Sequence, residues 1–134
     1  MTARAAILRE TLEIALCSDR FPALFYEKLF AARPELKPMF TRNSPGAQQK
    51  MFAQKLAAIV DSVEQPEILL AEARAIAKSH AGYGIRTEMY GWVGEALIAS
   101  LREAVGPDDW TAEAEEAWAG AYDAVAKAIL AHPG

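Results

Sequence analysis

The sequence predicts an all-α domain, and three observations carry that reading. Apolar residues recur at three- and four-residue steps almost throughout the chain. Ala, Leu, Glu and Lys dominate, and these are good helix formers. Strand signals are nearly absent: no stretch alternates apolar and polar residues while rich in Val, Ile and Thr.

Leu8, Leu12 and Leu16 step by four and mark a first helix. Asp19 can cap a second, with Pro22 tolerated in its first turn, and this helix carries Tyr26, Leu29 and Phe30 on one side. Pro34 and Pro38 frame a short tight piece ending at Phe40. Ser44 followed by Pro45 is a cap-then-proline helix start. From it runs a single stripe of Gln48, Phe52, Leu56, Ile59 and Val63. Pro66 starts the next helix, with Leu69, Ala73, Ile76, Ala77 and His80 on one face, and Gly82 and Gly84 end it. A helix from about Thr87 buries Tyr90, Val93, Leu97, Leu101 and Val105 until Gly106 and Pro107 stop it. Thr111 can cap the last helix, whose Glu113, Glu115 and Glu116 suit the positive end of the helix dipole. Its buried face is Ala114, Trp118, Tyr122, Val125 and Ile129. The expectation is one domain over residues 1–134, with six longer helices, one short one and short turns.

Composition bounds the function without naming it. Hydrophobic residues make up 52% of the 134 positions and charged residues 24%, so the chain is neither disordered nor membrane-like. No apolar run reaches bilayer length, and MTARAAILRE lacks the unbroken apolar stretch of a signal peptide. Cys17 is the only cysteine, so no intrachain disulfide forms and a cytoplasmic location is expected. The net charge is −4 and the basic residues read as scattered, which disfavours nucleic acid or an acidic membrane as the main partner.

Few residues can carry chemistry. His132 stands next to Pro133 near the last residue and is expected in solvent. His80 shares a face with Ile76 and Ala77 in the last turn of its helix. There its Nδ1–H can reach the Ile76 carbonyl, leaving Nε2 free for a metal. A core histidine satisfied by that carbonyl is the other reading. Gln48 lies on an apolar stripe one turn before Phe52, where its amide needs a partner or a route to water. Tyr26 carries a hydroxyl inward beside Leu29 and Phe30, or merely anchors its helix. Phe40 alone reads as core. Together they describe one site, with an imidazole, an amide and a phenol pointing inward from three helices. A large flat apolar ligand between them, such as an iron porphyrin, accounts for all three.

At this point the chain resembles the bacterial single-domain haemoglobins and the globin domain of flavohaemoglobins, over nearly its whole length. FYEKLFAARPELKPMF is similar to their B–C segment, and Gln48 through Phe52 to Ile59 to helix E. ARAIAKSHAGYGI is similar to helix F and the following turn, YGWVGEALIASLREAVG to helix G, and EEAWAGAYDAV to helix H. The resemblance implies a globin fold around haem b. It implies His80 as the proximal iron ligand and Phe40 packed on the porphyrin. It places Phe52 over the haem, Tyr90 near the proximal histidine, and Tyr26 with Gln48 as the pair that hydrogen-bonds bound ligand.

Three departures stand out. Met89 and Gly91 flank Tyr90 where the family often has histidine and proline. Pro133 falls where flavohaemoglobins place a glutamate. No residues remain for a flavin- and nicotinamide-binding reductase.

The resemblance implies dioxygen and other diatomic gases as ligands. Two donors over dioxygen, which takes on superoxide-like charge, would give high affinity and slow release. Three functions are open. One is an oxygen capture, storage or transport protein. The second is an enzyme converting nitric oxide to nitrate, with a reductase as partner. The third is a haem-based gas sensor acting through a partner protein. Monomer and homodimer are both compatible, with Trp92 available for a dimer contact.

Overall fold

The computed structural model describes residues 3–18, 20–40, 44–80 and 87–131, with the side chains of residues 77–80, 87 and 131 outside that description. Six α-helices and one 3-10 helix make up the described chain: α1 (Ala3–Cys17), α2 (Phe21–Ala32), the 3-10 helix (Pro34–Phe40), α3 (Pro45–Asp61), α4 (Pro66–His80), α5 (Thr87–Val105) and α6 (Ala112–Ala131). No strand occurs among the described residues. The described helices include none long and apolar enough to cross a membrane.

Local chemistry sets the helix ends. Ser44 Oγ accepts the Ala47 N–H at 3.2 Å, with Pro45 in the first turn of α3. Thr111 Oγ1 accepts the Ala114 N–H at 3.1 Å and caps α6. Gly106 takes φ +89°, a conformation that suits glycine, and its N–H returns to the Arg102 carbonyl to close α5. The cap position of α2 falls on Arg20, whose side chain makes no capping bond, and Asp19 lies outside the described residues.

The buried face of α1 corrects the leucine ladder. Ala5, Leu8, Thr11, Leu12 and Ala15 are buried, whereas Leu16 is 40% exposed. Steps of four overshoot a helical turn by about 40° each, so a third leucine drifts off the face that Thr11 and Ala15 continue. The same geometry brings Val60 rather than Ile59 into the deepest part of α3, and Val63 falls in the turn after it. On α5, Met89 is buried while Tyr90 and Val93 are half-buried.

Helix packing is tied by two polar contacts, one buried and one part-buried. Trp118 Nε1 on α6 donates to Thr11 Oγ1 on α1 at 2.8 Å, and that hydroxyl donates back to the Ile7 carbonyl at 2.6 Å. Tyr122 on α6 donates its hydroxyl to the Tyr90 carbonyl on α5 at 2.6 Å. Gly94 lets the Tyr122 ring lie against α5, because a Cβ there would stand 2.7 Å from Tyr122 Cε2. At the surface, Lys28–Glu103 (3.1 Å) joins α2 to α5 and Lys55–Glu72 (3.2 Å) joins α3 to α4. Trp92 is not an open surface aromatic: it is half-buried, and the Arg33 guanidinium lies 4.2 Å from its ring centroid.

The apolar interior divides in two. The larger cluster joins α1, α2, α3, α5 and α6 around Leu8, Phe21, Phe25, Tyr26, Leu29, Leu101 and Trp118. The smaller joins Ala73, Val125 and Ile129, with Ile59, Leu69, Ile76 and Tyr90 packed against it. The inward residues of α4 therefore belong to the smaller cluster, beside α6.

Candidate functional site

The site is built on α2, the 3-10 helix and α3. Tyr26, one turn before Phe30 and 8% exposed, is carried into the interior by the apolar face of α2. The prolines of the 3-10 helix turn the chain so that Phe40, its last residue, meets Tyr26 edge-on with centroids 5.6 Å apart. The capped first turn of α3 brings Gln48 and then Phe52 to the same place. Phe52 meets Tyr26 at 5.7 Å and stacks on Phe25 at 4.2 Å with 12° between the ring planes. Phe30 completes the group, 5.9 Å from Tyr26 and 5.5 Å from Phe40. Such edge-on and offset arrangements are the favourable ones for aromatic pairs.

One polar contact sits inside this aromatic cluster. Gln48 Nε2 donates to the Tyr26 phenol oxygen at 3.1 Å. The phenol in turn faces the Gln48 backbone carbonyl at 3.5 Å, a long contact for an O–H donor. A better acceptor near Tyr26 would outcompete that carbonyl for its proton. Burial pushes the Tyr26 hydroxyl above its ordinary range, and the Gln48 hydrogen bond offsets part of that shift. At neutral pH the group is therefore a protonated donor.

Four of the six sequence-predicted site residues meet here: Tyr26, Phe40, Gln48 and Phe52. Tyr90 belongs to the other cluster, with Ile76 and Ala73 of α4. Its hydroxyl is also raised, by desolvation. His80 closes α4, and its side chain lies outside the described residues, as does His132. Met89, which departs from the usual family residue, is a buried core side chain. Pro133 is also outside the described residues.

Two residues escaped the sequence reading. Phe25 fixes Phe52 by stacking, yet looked like one more apolar position on α2. Tyr122 looked like plain core on α6. It is a hydrogen-bond donor to the backbone of Tyr90, and burial with the neighbouring Tyr90 raises its hydroxyl strongly. The available signal was chemical: a phenol on a buried helix face needs an acceptor.

These residues fit a flat, apolar prosthetic group. Here two clusters stand side by side, and Phe40, Phe52, Ile76 and Tyr90 remain half-buried, divided between them. Tyr26 and Gln48 put hydrogen-bond donors on one of the two sides.

Comparison with known proteins bears on the family and the fold. The Globin family model matches residues 23–129. A flavohemoprotein of Rhizobium meliloti is 43% identical over 100 residues, covering 73% of this chain and 25% of the relative. One from Vibrio cholerae is 33% identical over 126 residues, covering 90% of this chain and 32% of the relative. The chain thus spans about a quarter to a third of the length of these curated relatives. Among solved structures, a Pseudomonas aeruginosa protein described as structurally highly homologous to a human hemoglobin superposes with a TM-score of 0.87 at 22% identity, covering 98% of each chain. A bacterial globin from Campylobacter jejuni gives 0.82 at 23% identity, covering 96% of this chain and 93% of that one. These structures establish the fold, the family model establishes membership, and the chain belongs to the globin family, whose prosthetic group is a haem.

Proposed function

We propose that this globin holds haem b and binds dioxygen reversibly, as a capture, storage or transport protein. The observation that carries this reading is the 3.1 Å hydrogen bond from Gln48 to the Tyr26 phenol inside an aromatic cluster. In this reading His80 is the protein ligand to the iron, and Phe40, Phe52 and Tyr90 line the group. When bound, the haem supplies the iron at which diatomic gases bind.

The chain's own residues set what happens there. Gln48 orients the Tyr26 oxygen by donating to it, which directs the phenol proton away from the amide. Its acceptor is the Gln48 carbonyl at 3.5 Å, a long contact, so the hydroxyl can turn to hydrogen-bond a ligand atom that carries negative charge. Burial keeps Tyr26 protonated and so available as a donor. High oxygen affinity and slow release follow. Replacing Tyr26→Phe deletes one donor to a charged acceptor, worth about 1.5–3 kcal/mol, so the oxygen dissociation rate should rise about tenfold or more. An unchanged rate in stopped flow would sink the assignment of Tyr26.

A second reading is the oxidation of nitric oxide to nitrate. The family relationship to proteins named flavohemoprotein favours it. It uses the same donor pair and adds the need for a reductase. Sustained nitrate production that depends on an added reductase and electron source would select it. Oxygen uptake without such turnover selects the carrier. A cytoplasmic location suits either reading.

A further inference from the structure

Helices α3 and α4 form a hairpin whose two arms meet unevenly. The turn 62–65 joins them. Near it they share the smaller cluster, where Ile59 of α3 and Leu69 of α4 pack against Ala73, Val125 and Ile129. Farther from the turn the arms part. Phe52 of α3 joins the larger cluster through the rings of Phe21, Phe25 and Tyr26, whereas Ile76 of α4 stays with the smaller one. The two arms have little direct packing, and α4 rests mainly on α6. Even near the turn the seam is loose, because a cavity of about 460 Å³ opens between Ile59, Val63, Leu69 and Val125. Such a gap forfeits the close contacts that would otherwise fix the angle between the two helices.

One charged link crosses this seam. Lys55 Nζ on α3 donates to Glu72 Oε2 on α4 at 3.2 Å, and no other ion pair joins the two helices among the described residues. Lys55 lies one turn before Ile59, and Glu72 lies just under one turn after Leu69. The pair therefore stands just past the cavity, where the arms begin to belong to different clusters. Beyond it lie Gln48 on α3 and His80, the last residue of α4. An exposed ion pair contributes little to global stability. It has more effect on a local opening in which few other contacts break.

We propose that Lys55–Glu72 is a strap across this hairpin, which limits how far α4 swings from α3 and so sets the rate at which the site releases its haem. This rests on the reading of the space between the two clusters as the haem site. The pair is a positioning device that acts through α4. Release requires the arms to separate, and the ion pair breaks in that separation.

The test is transfer of haem from the loaded ferric protein to an excess of apomyoglobin, followed by absorbance. It is run at about 0.01 M and about 1 M salt, where charges are screened over about 30 Å and about 3 Å. At low salt Lys55→Met and Glu72→Gln should each speed release about twofold to fivefold. Lys55→Glu combined with Glu72→Lys should return the rate to that of the unmodified protein. High salt should speed release from the unmodified protein more than from Lys55→Met. Lys28→Met is the control. It breaks Lys28–Glu103, a comparably exposed pair at 3.1 Å that joins α2 to α5 away from the hairpin, and should leave the rate unchanged. Single variants that release at the unmodified rate, a swapped pair as fast as the single variants, or equal acceleration by Lys28→Met would each overturn the proposal. Failure of the unmodified protein to take up haem is read separately, from its absorption spectrum, and defeats the proposed function. A protein that loads haem but releases it at one rate from every variant defeats the strap alone.

Discussion

Gly94→Ala should destabilise this protein, although the same change in an exposed helix stabilises by about 1 kcal/mol. The reason is Tyr122. A Cβ at position 94 would stand 2.7 Å from Cε2 and 3.0 Å from Cδ2 of that ring. The ring cannot step aside freely, because its hydroxyl is tied to the Tyr90 carbonyl at 2.6 Å. Overpacking of this kind costs about 1–3 kcal/mol, and a loosened hydrogen bond adds about 1 kcal/mol. Against the propensity gain, the net loss is about 1–3 kcal/mol. For a domain of this size each kcal/mol moves Tm by about 3–5 °C. The assay is urea unfolding at fixed haem occupancy, since bound ligand shifts apparent stability. The companion variant is Gly94→Ala in a Tyr122→Ala background. With the ring gone, the added methyl should recover its gain of about 1 kcal/mol relative to Tyr122→Ala alone. Stabilisation by Gly94→Ala in the unmodified protein would refute the close approach of α5 and α6.

Other outcomes follow from the same contacts. Thr11→Val keeps the shape but leaves the Trp118 indole N–H buried without its acceptor, and should cost about 1–3 kcal/mol in urea unfolding. Ser44→Ala removes the cap of α3 and should cost about 1 kcal/mol. It should also speed oxygen release, by less than Tyr26→Phe does, because the loosened turn positions Gln48. Alkaline pH should unfold the protein. Tyr26 and Tyr122 titrate above the ordinary phenol value of 10.0 when folded, mainly through burial. Their contribution is therefore complete below pH 10 and is lost as pH rises through the folded values. A phenolate absorbance titration should show delayed ionisation that coincides with loss of helical circular dichroism, and early ionisation of all four tyrosines would contradict it.

What was legible in the sequence was mostly local. Ser44–Pro45 and Gly106–Pro107 set helix ends through backbone chemistry that needs no distant partner, and both behave as expected. The stepping leucines of α1 misled at Leu16, because a repeat of four drifts around a helix of 3.6 residues per turn. Thr11 shows a different limit. A hydroxyl on a buried face announces a need for partners, but only the packing of α1 on α6 identifies Trp118 as one of them. The site divides in the same way. Periodicity put Tyr26 and Gln48 inward on separate helices. That they meet came from family resemblance, and the 3.1 Å bond between them depends on how α2 and α3 pack. Tyr122 was invisible as a positioning residue because its acceptor is a backbone carbonyl, which carries no sequence signature.

The central claim is that a haem completes the interior between the Tyr26 cluster and the α4–α6 cluster, with His80 on its iron. The most direct measurement is the absorption spectrum of the purified protein with added haem, reduced and then exposed to oxygen, beside His80→Ala. The account predicts a Soret band that shifts with oxygen and is lost or altered in the variant. A protein that takes up no haem specifically, or whose oxygen-sensitive spectrum is the same without His80, would contradict it.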